Sequence, residues 1–182
     1  MTKKQDKKYK ILSLFSGCGG LDLGLEGGFS FLGSEYSKNP FEVIWANDIN
    51  AKASQTQALN FPHTKVVCAD ITKLLGIEDE EDKELTLFKE DITLPEADIV
   101  VGGFPCQDFS LAGKRKGLTV KRGQLYLSMA KVIEKIRPKI FLAENVKGML
   151  SKRNTEAVKD IIKEFEEAGY NVFIKLLNAF DY

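Results

Sequence analysis

Two side chains that could do chemistry stand at the ends of two successive predicted strands. Cys106 lies in the tripeptide Pro105-Cys106-Gln107, shortly after one apolar run, and Glu144 directly follows the next. Because parallel strands end at one edge of a sheet, we expect the thiol and the carboxyl group to face one ligand. This pair suggests covalent catalysis by the cysteine, with the acid polarising the substrate. From these residues alone, a buried cysteine and a turn carboxylate remain an equally good interpretation.

A glycine-rich segment, Phe15 to Leu21, follows the first predicted strand and precedes a helical pattern. A strand, a glycine turn and a helix form the arrangement in which a doubly wound sheet receives a nucleotide-like cofactor, since glycines let the ligand approach the backbone. The dinucleotide fingerprint needs a third glycine at position 22, where this chain has Asp22. The spacing therefore disfavours a pyrophosphate cradle, and a purely conformational role for the glycines stays open.

Acidic side chains stand at the ends of the second and third predicted strands. Asp48 can accept hydrogen bonds from both hydroxyl groups of a ribose, and Asp70 can accept from the amino group of an adenine. Taken separately, each is as good a helix cap or turn residue as a ligand contact. Together with the glycine turn, the two acids favour an adenosyl cofactor.

The elements that must position these residues alternate between short β-type runs and helical patterns. This alternation predicts an α/β fold with a doubly wound, mostly parallel sheet. Apolar spacing predicts a helix from Gly123 to Arg137, and a second helix that Asn154 caps and Gly169 ends. The acidic stretch Glu78–Asp91 is interpreted as a solvated insertion. The predicted strands are Lys10–Leu14, Glu42–Asn47, Lys65–Cys68, Asp98–Gly102, Lys139–Ala143 and Asn171–Leu177.

Composition limits the classes of function. Of the 182 residues, 43% are hydrophobic, and 26 basic side chains balance 26 acidic ones. Proteins that bind nucleic acid by themselves usually carry a basic excess, so this balance argues against that class but leaves room for a catalytic core. No apolar run approaches the ~20 residues of a membrane span, and three cysteines without CxxC spacing predict no metal site. We expect a cytoplasmic protein with a disordered basic tail at residues 1–9.

Five segments of the chain, in this order and spacing, resemble the N-terminal motifs of the cytosine-C5 DNA methyltransferases: FSGCGG, GGFPCQDFS, KRKGL, RGQLY and AENVKGML. The resemblance implies a Rossmann-like, S-adenosylmethionine-dependent methyltransferase fold, with residues 10–182 as a partial catalytic domain, incomplete at its C-terminal end. It implies S-adenosylmethionine as the cofactor, and it places Ile49 where relatives often carry a larger apolar or aromatic residue. The implied cofactor contacts are Phe15, Gly17, Cys18, Gly20, Asp48, Ile49, Asp70, Ile71, Gly103, Pro105 and Leu125.

The resemblance also implies a mechanism on double-stranded DNA, as in restriction–modification systems. Cys106 would attack C6 of cytosine so that C5 can take the methyl group, while Glu144 stabilises the charge on the ring. Asn145 would orient the adjoining loop. Because the target atoms lie inside the duplex, the base must be flipped out. The residues expected to close over the base and contact DNA are Gln107, Ser110 and Lys114. Lys114 belongs to the basic triplet 114–116, for which an ordinary solvated turn is the alternative interpretation.

In the resembling family the chain continues past a segment like 178–182 into an arginine-bearing strand, a target-recognition domain and a last motif of the cofactor pocket. We therefore expect this polypeptide to need a complementary C-terminal subunit or region, and to methylate little by itself. Two other functions stay open: a tRNA cytosine-C5 methyltransferase and a catalytically idle regulatory subunit. Phe104 and the segment 107–110 favour the DNA enzyme, and intact Cys106 and Glu144 argue against the idle subunit.

Overall fold

The computed structural model describes residues 7–76, 93–105 and 125–181. The predicted insertion Glu78–Asp91 lies outside these residues, as do most of the predicted tail and four predicted site residues: Cys106, Gln107, Ser110 and Lys114. The chain divides into two units, Met1–Gly103 with Ile136–Ala143, and Phe104–Lys135 with Glu144–Tyr182.

The first unit is built on a parallel sheet. Its strands are β1 (Tyr9–Leu14), β2 (Phe29–Phe31), β3 (Ser34–Tyr36), β4 (Phe41–Asp48), β5 (Lys65–Cys68), β6 (Ile99–Gly102) and β7 (Ile140–Ala143). Five of them form the sheet in the order β5-β4-β1-β6-β7, and all the pairings are parallel. Each of these five agrees with a predicted strand to within one residue at either end. The predicted α/β class with a doubly wound sheet is confirmed.

Aliphatic side chains from the middle of the sheet form the centre of its core. All four residues of β6 are buried, and so are the last four residues of β1. Successive strand residues point to opposite faces, so these strands are buried on both sides, as central parallel strands are. Each fully buried Val, Leu or Ile side chain among them contributes about 1.5–3 kcal/mol. One cluster consists of Ile11, Val43, Ala46, Ile99 and Val101, with Leu21, Leu25, Phe41 and Val66 packed against it.

The strands of the sheet end level with one another at their carboxyl ends. Leu14, the last residue of β1, pairs with Asn47 of β4 and with Gly102 of β6. Asp48 of β4 pairs with Cys68, the last residue of β5. The chain order reverses at β1, which has β4 on one side and β6 on the other. Open α/β sheets bind ligands at this kind of switch point, outside the carboxyl ends of the strands.

Three helices of the first unit follow strands of the sheet: α1 (Gly20–Glu26), α2 (Ala51–Asn60) and α3 (Ile71–Leu74). The Asn50 side chain caps α2, because its Oδ1 accepts hydrogen bonds from the N–H groups of Lys52 and Ala53. Such a cap stabilises a helix by about 1 kcal/mol, since it satisfies N–H groups that the first turn leaves without a partner. The helices therefore start at defined residues just beyond the carboxyl edge.

A small hairpin between α1 and β4 is absent from the sequence-based prediction. In it, β2 pairs antiparallel with β3, and the Phe29 and Tyr36 rings stack with their centroids 4.7 Å apart. The two turn residues, Leu32 and Gly33, both have positive φ, 48° and 80°. Such turns usually carry Asn-Gly or Asp-Gly, so leucine at the first position hid the hairpin.

Asp98 joins three segments at the opposite, amino edge of the sheet. Its Oδ2 accepts from the Lys10 N–H at 3.0 Å, and its Oδ1 accepts from Lys139 Nζ at 2.6 Å. The Asp98 N–H donates to the Lys10 carbonyl oxygen at 2.9 Å, and the Lys139 N–H donates to the Asp98 carbonyl oxygen at 2.8 Å. The hydrogen bonds from Lys139 and from the Lys10 backbone hold the pKa of Asp98 below its usual range.

The second unit contains the helix α5 (Thr155–Glu167) and most of α4 (Leu125–Ile136). Both agree with the helical patterns of the sequence. At the C-terminus of α5 the Gly169 N–H donates to the Glu166 carbonyl oxygen, and the Tyr170 N–H donates to that of Phe165. Gly169 has a φ of 96°. These features define a Schellman motif, so the predicted role of Gly169 in ending the helix is confirmed.

Asn154 precedes α5 as predicted, but the prediction that its side chain caps the helix is wrong. It makes no capping hydrogen bond with described residues, and its Nδ2 donates instead to the Gly148 carbonyl oxygen at 3.0 Å. A 3₁₀ turn, Lys152–Asn154, leads directly into the helix. The backbone of Asn154 is therefore not extended, with φ −103° and ψ 5°, and lacks the geometry from which a cap reaches forward.

The predicted strand from Asn171 to Leu177 is also wrong, because residues 171–178 have no regular structure. Alternating apolar residues indicate which side chains a strand would bury. A strand forms, however, only where a neighbouring strand accepts and donates its backbone hydrogen bonds. No sheet of the described residues includes this segment. Its exposed apolar side chains are Phe173, Ile174, Leu176 and Leu177.

Candidate functional site

The glycine turn between β1 and α1 leaves part of its backbone uncovered. Phe15, Gly17 and Gly19 have positive φ, 53°, 56° and 89°. Glycine adopts this region freely, whereas Phe15 does so at a cost of about 1 kcal/mol or more. A Cβ added at Gly17 or Gly20 would meet no described atom within 4 Å. The backbone at these two positions is therefore open to a ligand.

Two backbone N–H groups of the turn donate to the end of β4. The Ser16 N–H donates to the Asn47 carbonyl oxygen at 3.0 Å, and the Gly17 N–H donates to Asp48 Oδ2 at 2.8 Å. Asp48 Oδ1 accepts from the Asn50 N–H, also at 2.8 Å. An ionised carboxylate offers about four lone-pair sites, so Asp48 retains acceptor capacity for the two hydroxyl groups of a ribose. This predicted ligand residue thus lies directly beside the turn.

The side-chain amide of Asn47 joins the ends of β4 and β5. It donates to the carbonyl oxygens of Val67 and Ala69, both at 2.9 Å. Asp70, two residues after β5, caps α3, because its Oδ1 accepts from the N–H and the hydroxyl group of Thr72. The capping interpretation of Asp70 is confirmed, and its contact with an adenine stays a prediction. Sequence reasoning did not select Asn47, since a buried amide at a strand end has no characteristic pattern.

The predicted apolar contacts of the cofactor differ in exposure. Ile49, directly after Asp48, is 69% exposed, which is unusual for an aliphatic side chain. It is available to pack against a flat ring beside Asp48. Ile71 is buried, and Cys18 is exposed on the turn. The Cys68 thiol at the end of β5 lies 3.8 Å from the Ile49 carbonyl oxygen.

A buried polar network contacts the turn. Asp22 is fully buried, and its Oδ1 accepts from Ser13 Oγ at 2.7 Å while its Oδ2 accepts from Gln57 Nε2 at 2.5 Å. Gln57 Oε1 accepts from Ser16 Oγ at 2.6 Å. Burial raises the pKa of Asp22 to about 6; the Ser13 and Gln57 hydrogen bonds oppose the shift, and Glu26 adds to it. Sequence reasoning used Asp22 only to exclude a dinucleotide and did not select Gln57.

Other residues pack closely against Gly19, whereas the space beside the adjacent Gly20 is free of described atoms. Alanine substitutions at these two positions therefore form a matched pair. A Cβ on Gly19 would lie 2.5 Å from Phe61 Cε2 and 3.3 Å from Gln57 Cγ. We expect Gly19→Ala to lower the free energy of unfolding by about 1–3 kcal/mol, because of overpacking and backbone strain. We expect Gly20→Ala to change it by less than about 0.5 kcal/mol. Urea denaturation measures both, and equal losses would show that Gly19 is not the packed position.

The backbone before the predicted nucleophile belongs to the second unit. Phe104 is buried, Pro105 is exposed, and Cys106 follows outside the described residues. The Asn145 side-chain amide donates to the Phe104 carbonyl oxygen at 2.8 Å, and its Oδ1 accepts from the Val146 N–H at 2.9 Å. Asn145 thus holds the backbone two residues before Cys106, as expected for a residue that orients this loop.

The remaining predicted site residues, Glu144, Gly103 and Leu125, lie next to Asn145, β6 and the start of α4. Glu144 directly precedes Asn145 and is exposed. Gly103 directly follows β6, and Leu125 begins α4; both are half-buried. Their catalytic and cofactor roles stay predictions. Within residues 7–76, 93–105 and 125–181, no group of three or more His, Cys, Asp or Glu could hold a metal ion, and no helix is long and apolar enough to cross a membrane.

Sequence comparisons relate this chain to one protein family. The family model for C-5 cytosine-specific DNA methylases matches residues 9–182. The Type II methyltransferase M.FnuDI of Fusobacterium nucleatum is 50% identical over 173 residues, which cover 95% of this chain and 42% of that protein. M.NgoPII of Neisseria gonorrhoeae is 40% identical, over 95% of this chain and 43% of that protein. The chain spans about two fifths of the length of these relatives.

Solved structures show the same fold. A prophage-encoded protein of E. coli, described as a DNA modification methyltransferase, is 28% identical with a TM-score of 0.59, over 88% of this chain and 38% of that one. A TehB-like SAM-dependent methyltransferase of Corynebacterium glutamicum is 13% identical with a TM-score of 0.51, over 90% of this chain and 66% of that one. At 13% identity, the similarity to the TehB-like methyltransferase shows a shared fold and nothing more.

Proposed function

This chain belongs to the family of C-5 cytosine-specific DNA methylases. From that premise we propose that it binds S-adenosylmethionine at the carboxyl edge of β1, β4 and β5. The methyl group of this cofactor is transferred to C5 of cytosine in DNA. The observation that carries the proposal is the hydrogen bond from the Gly17 N–H to Asp48. It joins an open glycine backbone to a carboxylate that can accept from a ribose. Both features lie at the switch point of the sheet, where α/β folds bind ligands.

The described residues fit an adenosyl ligand with a sulfonium centre better than a dinucleotide. The turn offers open backbone at Gly17 and Gly20, which permits close approach. Asp22 stands where the dinucleotide fingerprint has its third glycine, and its carboxyl group is buried next to the turn. A carboxylate there repels a doubly charged pyrophosphate but attracts a sulfonium cation. This charge relation supports S-adenosylmethionine.

In this proposal each cofactor group has its own partner. Asp48 accepts from the ribose hydroxyl groups, Asp70 accepts from the adenine amino group, and Ile49 packs against the adenine ring. Bound in this way, the cofactor supplies an electrophilic methyl group. The remaining cofactor contacts proposed in the first unit are Phe15, Gly17, Cys18, Gly20, Ile71 and Gly103. The contacts of Pro105 and Leu125, which belong to the second unit, stay predictions of the family resemblance.

The chemistry on the base follows from the reactivity of cytosine, whose C5 is a poor nucleophile. The Cys106 thiolate forms a bond to C6, and the electrons of the C5–C6 double bond move towards C5 and the ring. In this role the Glu144 carboxyl group carries a proton and donates to N3, while its other oxygen accepts from the exocyclic amine, so the charge on the ring is stabilised. C5 then forms a bond to the methyl carbon, and the sulfonium sulfur would keep the electrons of the broken carbon–sulfur bond. Loss of the C5 proton to a base restores the C5–C6 double bond and expels the Cys106 thiolate. Asn145 keeps the backbone before Cys106 in place for this attack.

We propose further that the chain acts with a complementary C-terminal region or subunit. Gln107, Ser110 and Lys114 would contact the DNA around the flipped-out base. The relatives are more than twice as long as the part that this chain matches, since it covers 42% and 43% of them. The segment 171–178 and the turn after it expose apolar side chains, Phe173 and Phe180 most of all. Such a surface supports a protein partner.

A methyl-transfer assay tests the proposed function. The chain is incubated with methyl-labelled S-adenosylmethionine and either duplex DNA or tRNA, alone and with a separately made fragment that covers the rest of M.FnuDI. We expect little transfer by the chain alone, and transfer to C5 of cytosine in duplex DNA with the fragment. Preferential labelling of tRNA, or of an exocyclic amine, would contradict the proposed substrate. Sequence-specific methylation by the chain alone would contradict the need for a partner.

A further inference from the structure

Gln57 connects the glycine turn to the interior of the first unit. The side chain is fully buried, although it is an amide on a helix whose neighbouring residues, Gln55 and Thr56, are exposed. Both ends are hydrogen-bonded, Nε2 to Asp22 and Oε1 to Ser16. Burial of an amide costs several kcal/mol unless its donors and acceptor find partners. A buried amide with these two partners therefore fixes the distance between them.

The order of donors along this network follows from the chemistry of its members. An ionised Asp22 can only accept hydrogen bonds, so Gln57 must present its Nε2 to Asp22. The Gln57 oxygen then faces Ser16, whose hydroxyl group must donate. The Ser16 N–H is bonded to the end of β4, and the next N–H along the chain, that of Gly17, is bonded to Asp48. The network thus determines the position of the turn backbone beside Asp48.

We propose that Gln57 and Asp22 are positioning residues for the cofactor: through Ser16 they hold the glycine turn in the conformation that receives the ligand. This inference rests on the proposed function and deepens it, because neither residue belongs to the predicted set of cofactor contacts. Neither side chain needs to touch the cofactor. Apart from the charge of Asp22, their effect passes through the Ser16 hydroxyl group and the Gly17 N–H.

The proposal includes a pH dependence of the turn. Burial raises the pKa of Asp22 to about 6, so below about pH 6 the carboxyl group carries a proton and can donate to Gln57. When that proton lies on Oδ2, the amide turns over: Gln57 Oε1 accepts from Asp22, and Gln57 Nε2 donates to the Ser16 hydroxyl group. The groups around Asp22 in the described residues are Ser13 from β1, Gln57 from α2 and Glu26 from its own helix, and Glu26 is paired with His63.

Amide hydrogen exchange of the chain without a cofactor tests the positioning role. We compare Gln57→Met with Gln55→Met, the same substitution at an exposed position of the same helix. With Gln57→Met we expect the amides of Ser16, Gly17 and Gly19 to exchange about tenfold faster relative to the β1 amides. With Gln55→Met we expect no change. A uniform increase at the turn and in β1 would indicate lost stability only, and would overturn the proposal.

The pH dependence of the Ser16 and Gly17 amide resonances is a further test, because it would not change if Asp22 only stabilised the fold. We expect the amide resonances of Ser16 and Gly17 to titrate with a midpoint near pH 6 in the unmodified chain, and not to do so in Asp22→Asn, whose amide does not ionise. If the same titration remains in Asp22→Asn, it does not arise from Asp22, and the proposed role of Asp22 is wrong.

Binding of S-adenosylhomocysteine separates this inference from the proposed function. We expect Gln57→Met to raise the dissociation constant about tenfold at pH 7.5, and Gln55→Met to leave it unchanged. An unchanged constant in Gln57→Met would overturn the positioning role even if the cofactor site is correct. If the unmodified chain does not bind, the proposed cofactor site fails, while the exchange and pH experiments still decide whether Gln57 and Asp22 hold the turn.

Discussion

Replacing Asp48 by alanine is expected to weaken the binding of S-adenosylhomocysteine by about a hundredfold or more. In the proposed complex the carboxylate accepts from both ribose hydroxyl groups, and each charge-assisted hydrogen bond contributes about 1.5–3 kcal/mol. Two of them correspond to at least a hundredfold in affinity, since each 1.4 kcal/mol is about tenfold. The substitution also removes the acceptor of the Gly17 N–H, so the turn loses its attachment to the end of β4.

Two further variants give this prediction its controls. Asp48→Asn keeps the shape and one acceptor oxygen but loses the charge, so we expect an intermediate loss of about tenfold. Asp98→Asn changes a carboxylate at the amino edge of the same sheet, where it bonds Lys10 and Lys139. We expect it to lower stability and to leave the affinity unchanged. An Asp48→Ala dissociation constant within threefold of the original, measured calorimetrically, would remove Asp48 from the site.

Serine in place of Cys106 is expected to abolish covalent capture of the base. The thiolate is the nucleophile in the proposed reaction, and a hydroxyl group is far less acidic than a thiol. Loss of a nucleophile in other covalent enzymes reduces the rate by about a thousandfold or more. A duplex with 5-fluorocytosine at the target position holds the adduct, because fluorine at C5 cannot leave as a proton does. We expect an adduct that withstands denaturing electrophoresis from the unmodified chain with the C-terminal fragment and cofactor.

Cys68→Ser is the matched control for this capture. Cys68 is exposed at the end of β5 and has no role in the proposed chemistry. We expect this variant to form the adduct in the normal amount, and Cys106→Ser to form none that can be detected. An adduct that persists in Cys106→Ser would assign the covalent step to another residue. If no variant forms an adduct although the cofactor binds, the idle regulatory subunit becomes the better interpretation.

The sequence was sufficient to predict the elements that carry the site, because their signals are local. Apolar runs marked the five strands of the sheet. The site residues lie at or shortly after the ends of these strands: Phe15 to Gly20 after β1, Asp48 at the end of β4, and Asp70 two residues after β5. The register then confirms that β1, β4 and β5 end together. Parallel strands make such predictions possible, since any residue at a strand's carboxyl end must lie at the same edge.

Features that depend on tertiary contacts escaped prediction. Gln57 has no local signal that separates it from exposed Gln55, because the difference arises only where α2 meets Asp22. Asn154 looks like a cap in the sequence, yet the preceding 3₁₀ turn directs its side chain to Gly148. The apolar alternation of residues 171–177 resembles a strand, but no partner strand pairs with it in the described part of the chain. Each of these outcomes depends on a neighbour that is distant in sequence or on backbone geometry.

A titration of the isotopically labelled chain with S-adenosylhomocysteine, followed by the shifts of its amide resonances, tests the central claim most directly. The proposed site predicts progressive shifts at the glycine turn and at the ends of β4 and β5, foremost at Gly17, Gly20, Asp48 and Ile49, and no comparable shifts with NADH. Absence of shifts at these residues at millimolar ligand, or equal shifts with the dinucleotide, would contradict the cofactor site on which the account rests.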